Sequence, residues 1–141
     1  MKRMRSEKGA ALIEAAVTVP IILLISVGIF EFGRAYQTQQ VLVNASREGA
    51  RLAVIEGSTD AQVRSRVNAY LTAGGLKSLG DANIPINRAT AITTSANGST
   101  VEISYPFEFI VLNPVVRLVA PGDAKTGAPI TMKAATMMRN E

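Results

Sequence analysis

KGAALIEAAVTVPIILLISVGIFEFGRAY, the stretch from Lys8 to Tyr36, decides how the rest of the chain is read. The 22 residues between Lys8 and Glu31 carry one formal charge, Glu14. At a helical rise of about 1.5 Å per residue they span roughly 33 Å, enough to cross a bilayer. Lys2, Arg3, Arg5 and Lys8 crowd the front of the stretch and Glu31 opens its far side. The positive-inside bias then holds the N-terminus in the cytoplasm and puts everything after Gly33 across the membrane.

Glu14 is the anomaly. A carboxylate inside a membrane segment costs on the order of a few kcal/mol, less near a helix end, so it marks a candidate functional residue. It follows Gly9 by five residues, and Gly9 follows a short basic leader, which is the cleavage-site pattern of type IV prepilins. A cut after Gly9 frees an ammonium on Ala10 at the positive end of the helix dipole, where a cation is unfavourable. Ala10 and Glu14 share a helix face at i, i+4, so the acid can neutralise its own amine or that of a packed neighbour. Pro20 removes one backbone hydrogen bond and crowds the turn before it, which predicts a kink or loosened turn near Ala16. Membrane helices also tolerate proline without further consequence.

The run GAALIEAAVTVPIILLISVGIFEFGRAY followed by QQVLVNASREGARLAV resembles the TadE-like family, membrane-anchored pseudopilins of bacterial tight-adherence (Tad, or Flp-type) pilus systems. The resemblance covers roughly the first 55 residues. It rests on Gly9, Glu14, Pro20, the cluster Glu31-Phe32-Gly33-Arg34 and the segment Ala45-Ser46-Arg47-Glu48-Gly49-Ala50-Arg51. Ala15 departs from the pattern, since Tad-type prepilins tend to carry an aromatic after the glutamate. The resemblance implies processing by a prepilin peptidase at Gly9 and Ala10 with Glu14 as recognition residue. It also implies a single-pass location in the bacterial inner membrane, with the C-terminal domain extracytoplasmic, and a part in pilus assembly, adhesion and secretion. The partners it implies are the lipid bilayer and other pilin and pseudopilin subunits.

Composition narrows the alternatives. With the anchor removed, about 105 of the 141 residues remain for a core, which suits one small domain. The expected division is a basic leader over 1–9, a transmembrane helix over 10–33 and an α+β domain over 34–141. The net charge of +4 is no sign of nucleic acid, because four bases and one acid lie in the first nine residues. That basicity is topogenic. The chain has no Cys, hence no disulfide framework, and no His, hence neither the commonest general base nor the commonest metal ligand. Carboxylates outside the anchor are scattered, and Gly122 to Gly127 has phosphate-loop spacing but lacks the following Lys and Ser or Thr. No catalytic residue, metal site or cofactor is expected.

From Arg34 the helix is expected to continue, since neither Pro nor Gly interrupts Ala35 to Glu48. Ala35, Thr38, Leu42, Ala45, Gly49 and Leu52 form a stripe of mostly small residues at alternating steps of three and four. Ala45, Gly49 and Ala53 let another backbone approach closely. Either the protein's own sheet packs there, or the face joins Glu14 and Pro20 in helix packing between subunits. With Gly57 as C-cap, one helix of about 47 residues would run from Ala10 to Glu56.

Thr59-x-x-Gln62 has capping-box form, opening a second helix with Val63, Val67, Tyr70 and Leu71 inward, Arg64 and Arg66 solvated, and Gly74-Gly75 as stop. Beyond it the period changes from 3.6 to 2. Val101, Ile103, Tyr105, Phe107 and Phe109 alternate with polar residues or proline, predicting a strand that meets a sheet edge at Pro106. Asn97-Gly98 is a hairpin-turn signal, and also begins a glycosylation sequon with Ser99; the turn reading is preferred, with Ala89–Thr94 as the partner strand. Ile130–Met138 is a third strand, reached through a loop over Pro121–Pro129. The apolar run Ile110–Ala120 is read as ordinary core, or else as a short helix or lip touching membrane or partner.

The reading is therefore an α+β pseudopilin: a long N-terminal transmembrane helix extending into a small domain with a second helix and about three antiparallel strands. Its work would be contact-making through helix packing and strand edges, as a minor pilin or assembly factor. The alternative is an exported soluble binding domain, its signal peptide cut after Ser26-Val27-Gly28. An enzyme is a distant third.

Overall fold

The computed structural model describes residues 3–93, 96–119 and 128–140. In order these form helix α1 (Arg3–Ala53), helix α2 (Asp60–Ala73), a 3-10 turn (Asp81–Asn83), strands β1 (Ile86–Thr93) and β2 (Ala96–Phe107), helix α3 (Leu112–Val119) and strand β3 (Ile130–Arg139). The chain divides into two compact units, Met1–Gly33 with Phe109–Gly127, and Arg34–Glu108 with Ala128–Glu141. The class is α+β, as the change of period predicts.

α1 begins at Arg3 rather than Ala10, because Met4, Arg5, Glu7 and Lys8 are good helix formers with no breaker among them. It ends at Ala53 rather than Glu56. The last residues tighten into turns, with Ile55 N–H donating to Leu52 O and Ser58 N–H to Ile55 O. Gly57, the expected C-cap, takes φ 79° three residues after Val54, which follows the last helical residue. The helix continues through Pro20, where the Ala16 carbonyl has no i+4 N–H to accept.

In the second unit α1 packs on α2 and the sheet. Leu42, Ala45, Ala50 and Ala53 from α1, Val63, Val67 and Leu71 from α2, and Ile84, Val101, Ile103 and Ala134 make one core. Each fully buried Leu, Ile or Val stabilises the fold by roughly 2 kcal/mol relative to exposure. α2 opens with the expected capping box: Gln62 N–H donates to Thr59 Oγ1, and Thr59 N–H to Gln62 Oε1. Tyr70 is 40 % exposed, not core. The buried face is turned toward Arg64 and Asn68, because the following loop closes over that side. Asn68 exchanges two bonds with the Leu79 backbone (3.0 and 2.8 Å), and Arg64 Nε donates to Ile84 O.

Arg64 and Arg66 are both paired at the surface, with Asp81 at 3.3 Å and Glu48 at 2.7 Å. The hydrogen bond from Arg66, with help from its charge and that of Arg51, holds the Glu48 carboxyl below its ordinary range. The folded state thus binds this proton more weakly than the unfolded state, so the pair stabilises above the ordinary carboxylate range and the benefit is lost as pH falls through it. For an exposed pair the effect is a few tenths of a kcal/mol. Melting curves of Glu48→Gln and the parent protein should differ slightly at pH 7 and coincide near pH 3; a constant gap would remove the ion pair as the cause.

The sheet is an antiparallel meander, β1-β2-β3, with an unbroken register between β2 and β3 from Gly98↔Arg139 to Phe107↔Ile130. Val101, Ile103 and Phe107 are buried and Glu102 and Ser104 face out, as their alternation predicts. Phe109 lies beyond the strand. Glu102 N–H donates to Pro85 O on the β1 side, so by alternation the position of Pro106 faces the same side, beyond the last β1 pair at Ile86↔Val101. The missing N–H of Pro106 therefore costs no ladder bond.

Asn97-Gly98 is not the hairpin turn. Asn97 pairs with Ala91 and Gly98 with Thr90, so both lie within paired strand, and the partner strand starts at Ile86. Pairing on both sides overrides the local signal: Gly98 stands between Thr90 and Arg139, and Asn140 N–H donates to Asn97 O. Ser99 is buried and bonds Asn140 Oδ1 at 2.8 Å. The loop over Pro121–Pro129 and the Gly122 to Gly127 spacing fall almost wholly outside the described residues.

Candidate membrane anchor and helix surface

Every residue from Ala10 to Ser26 is exposed, and none of the most apolar 18-residue window of α1 is buried. Hydrocarbon of that extent facing outward along a continuous helix is what a bilayer would cover. By length and composition α1 is a candidate membrane span, and it lies near the N-terminus. Gly9 and Ala10 are helical rather than at a helix start, and Glu14 is exposed one turn beyond Ala10. Beyond its own helical turn, nothing lies within 4 Å of a Cβ at Gly9. Pro20 is exposed too. Ser26 Oγ donates to Ile22 O, satisfying its hydroxyl within the helix.

At the far end of the apolar run, in the same unit, Glu31 is fully buried although its neighbours Phe30 and Phe32 are exposed. Its Oε1 accepts the Val111 N–H at 2.6 Å. Phe32 packs edge-on against Phe109, with ring centroids 6.3 Å apart. The sequence marks Glu31 as a topogenic charge; its use as an acceptor for distant backbone has no local signal. In the second unit, Arg34 donates to Glu108 O, and its guanidinium lies 4.6 Å from the Phe107 ring centroid.

Ala45, Gly49 and Ala53 are occupied within the chain. Ala45 and Ala53 belong to the core, and a Cβ at Gly49 would lie 2.6 Å from Val67 Cγ2 and 3.2 Å from Val101 Cγ1. Of the two readings of this stripe, packing on the protein's own sheet is the one the contacts support. Ser46, also buried, donates to Val43 O (2.9 Å) and so receives its bond from the Thr136 hydroxyl (2.8 Å). Of the residues assigned to packing between subunits, Glu14 and Pro20 keep free surfaces.

Arg88, unmarked in the sequence, ties off the end of α1. Its Nη1 donates to Ala53 O (2.7 Å) and Ser58 Oγ, and its Nε pairs with Asp60 at 2.8 Å. A cation there satisfies an orphan carbonyl and suits the helix dipole. Ile110–Val116 is not core: Ile110, Val111, Val115 and Val116 are all exposed, the last two on α3. Among the described residues no three His, Cys, Asp or Glu side chains come together as a metal site would need.

An exposed apolar helix carried by a small α+β protein makes the chain a candidate for the membrane-anchored class. The family model for TadE-like protein matches residues 9–51, the stretch on which the resemblance rests. Over that segment the chain is similar to TadE-like proteins. No curated protein and no solved structure matches the chain.

Proposed function

We propose that the protein is a membrane-anchored pseudopilin, a minor pilin of a Tad-type pilus, acting in pilus assembly with adhesion and secretion as downstream roles. One coincidence carries this reading: the TadE-like match includes the exposed apolar stretch of α1, Ala10 to Ser26, that bears Glu14 and follows Gly9. The anchor crosses the bacterial inner membrane once, N-terminus in the cytoplasm and α+β unit outside, as the basic leader directs. A prepilin peptidase cuts after Gly9. In the uncut chain that bond lies inside a helix, and Gly9, about 1 kcal/mol poorer than alanine as a helix former, makes opening cheapest where the cut is needed.

The freed Ala10 ammonium then sits one turn from Glu14. Within a bilayer the pair is far more favourable than either charge alone, so a subunit whose amine meets a neighbour's Glu14 gains a reason to pack in one register. Pro20 supports a second contact on another side of the helix, since the Ala16 carbonyl it leaves unbonded can accept from a neighbouring helix.

Extraction tests the placement. After carbonate washing the protein should remain with the inner membrane and co-purify with pilin subunits from a host with a Tad system. Release into the wash would instead favour the exported soluble domain.

A further inference from the structure

We infer that α3 and the residues leading into it form an interfacial lipid-binding element, lying at the headgroup boundary of the leaflet where the apolar run of α1 ends. This rests on the reading of residues 10–33 as a membrane span. Phe109 to Val119 holds one charge, Arg117, among eight aliphatic or aromatic residues. Buried against the sheet such a run would need no comment; here Ile110 is 59 % exposed and Val116 44 %. The element is fixed where the span stops. Val111 N–H donates to the carboxylate of Glu31, the first charge after the apolar run, and Phe109 meets Phe32 one residue further. Phe32, Phe30 and Ile29 are themselves exposed by more than half, so the apolar surface of the span is continuous with that of α3. A surface continuous with a bilayer-covered helix, at the level of its terminal charge, is covered by the same bilayer. Glu31 satisfies the Val111 amide, which hydrocarbon could not. A short, one-faced helix placed there buries its apolar side to about 5–10 Å and limits how deep the anchor can slide.

Because the chain has no cysteine, single-cysteine variants carry one environment-sensitive fluorophore each. Val116→Cys, Leu24→Cys and Ala69→Cys of the full chain, each labelled with a nitrobenzoxadiazole dye, are reconstituted in phosphatidylcholine–phosphatidylglycerol vesicles with lipids spin-labelled at shallow or deep acyl positions. The label at Val116 should be quenched at least twofold more by the shallow than by the deep spin label, and the label at Leu24 more by the deep one. The label at Ala69, on exposed α2 surface, should be quenched by neither. Quenching at Leu24 without quenching at Val116 overturns the inference and leaves the anchor standing. Absence of quenching at Leu24 overturns the span, and the inference with it. Self-quenching at Val116 that rises with protein density, without lipid quenching, would assign the face to a second copy and equally overturn it.

Discussion

Gly49→Leu should collapse the α+β unit before it affects anything else. α1 passes so close to α2 and β2 at this position that even a first side-chain carbon would meet Val67 at 2.6 Å, Val101 at 3.2 Å and Val63 at 3.7 Å. All three neighbours are fully buried, so none can swing into solvent to make room. Overpacking of a well-filled core costs about 3 kcal/mol or more. A domain this size is stable by only about 5–10 kcal/mol, so the melting temperature should fall by roughly 15 °C. Gly49→Ala should show a smaller loss in the same direction. Thermal unfolding of the full chain in detergent, followed by circular dichroism, is the measurement. An unchanged melting temperature with failed pilus assembly would return this face to packing between subunits, against the contacts seen here.

Glu14→Ala should have the opposite profile: unchanged or improved insertion and an approximately tenfold drop in surface pili at matched membrane levels. Removing a carboxylate from an apolar segment lowers the cost of insertion by on the order of a few kcal/mol. What is lost is the partner for the Ala10 amine. Glu14→Gln keeps hydrogen bonding and loses only charge, so it should be defective as well, while Glu14→Asp, one methylene shorter, should be partial. Normal assembly by Glu14→Ala, with cleavage after Gly9 intact, would leave the carboxylate without an assembly role. Glu14 is exposed and far in sequence from the core residues, so its variants leave the α+β unit's melting unchanged and separate this experiment from that on Gly49.

Much of the fold is legible from local rules. Thr59 and Gln62 specify a helix start because both halves of the capping box lie within four residues. The alternation from Val101 to Phe107 specifies one buried face, since a strand's period is fixed by its backbone. The failures share a cause, which is a contact made far along the chain. Asn97-Gly98 reads as a turn until β3 pairs alongside it and Asn140 bonds Asn97 and Ser99. Tyr70 reads as core until the loop bonded to Asn68 covers the other side of α2.

The candidate site divides the same way. Gly9, Glu14 and the basic leader are legible because charge and hydropathy along one helix need no tertiary knowledge. Ala45, Gly49 and Ala53 announce a close neighbour but not its identity, since a small-residue stripe suits an intramolecular sheet as well as another subunit. The use of Glu31 to hold Val111, eighty residues away, and of Arg88 to cap α1 at Ala53 leaves no trace in spacing or composition. Even the sequence markers of residues 45–51 resolve into ordinary packing: Ala45, Ser46, Gly49 and Ala50 are buried, and Glu48 pairs with Arg66.

Intact-mass measurement of the protein isolated from a host with its prepilin peptidase tests the proposed processing and anchoring together. A processed pseudopilin gives a chain that starts at Ala10, with or without a methylated amine. A chain that starts at Met1 would contradict processing, and one that starts near Ile29 would replace the anchored pseudopilin with a secreted domain.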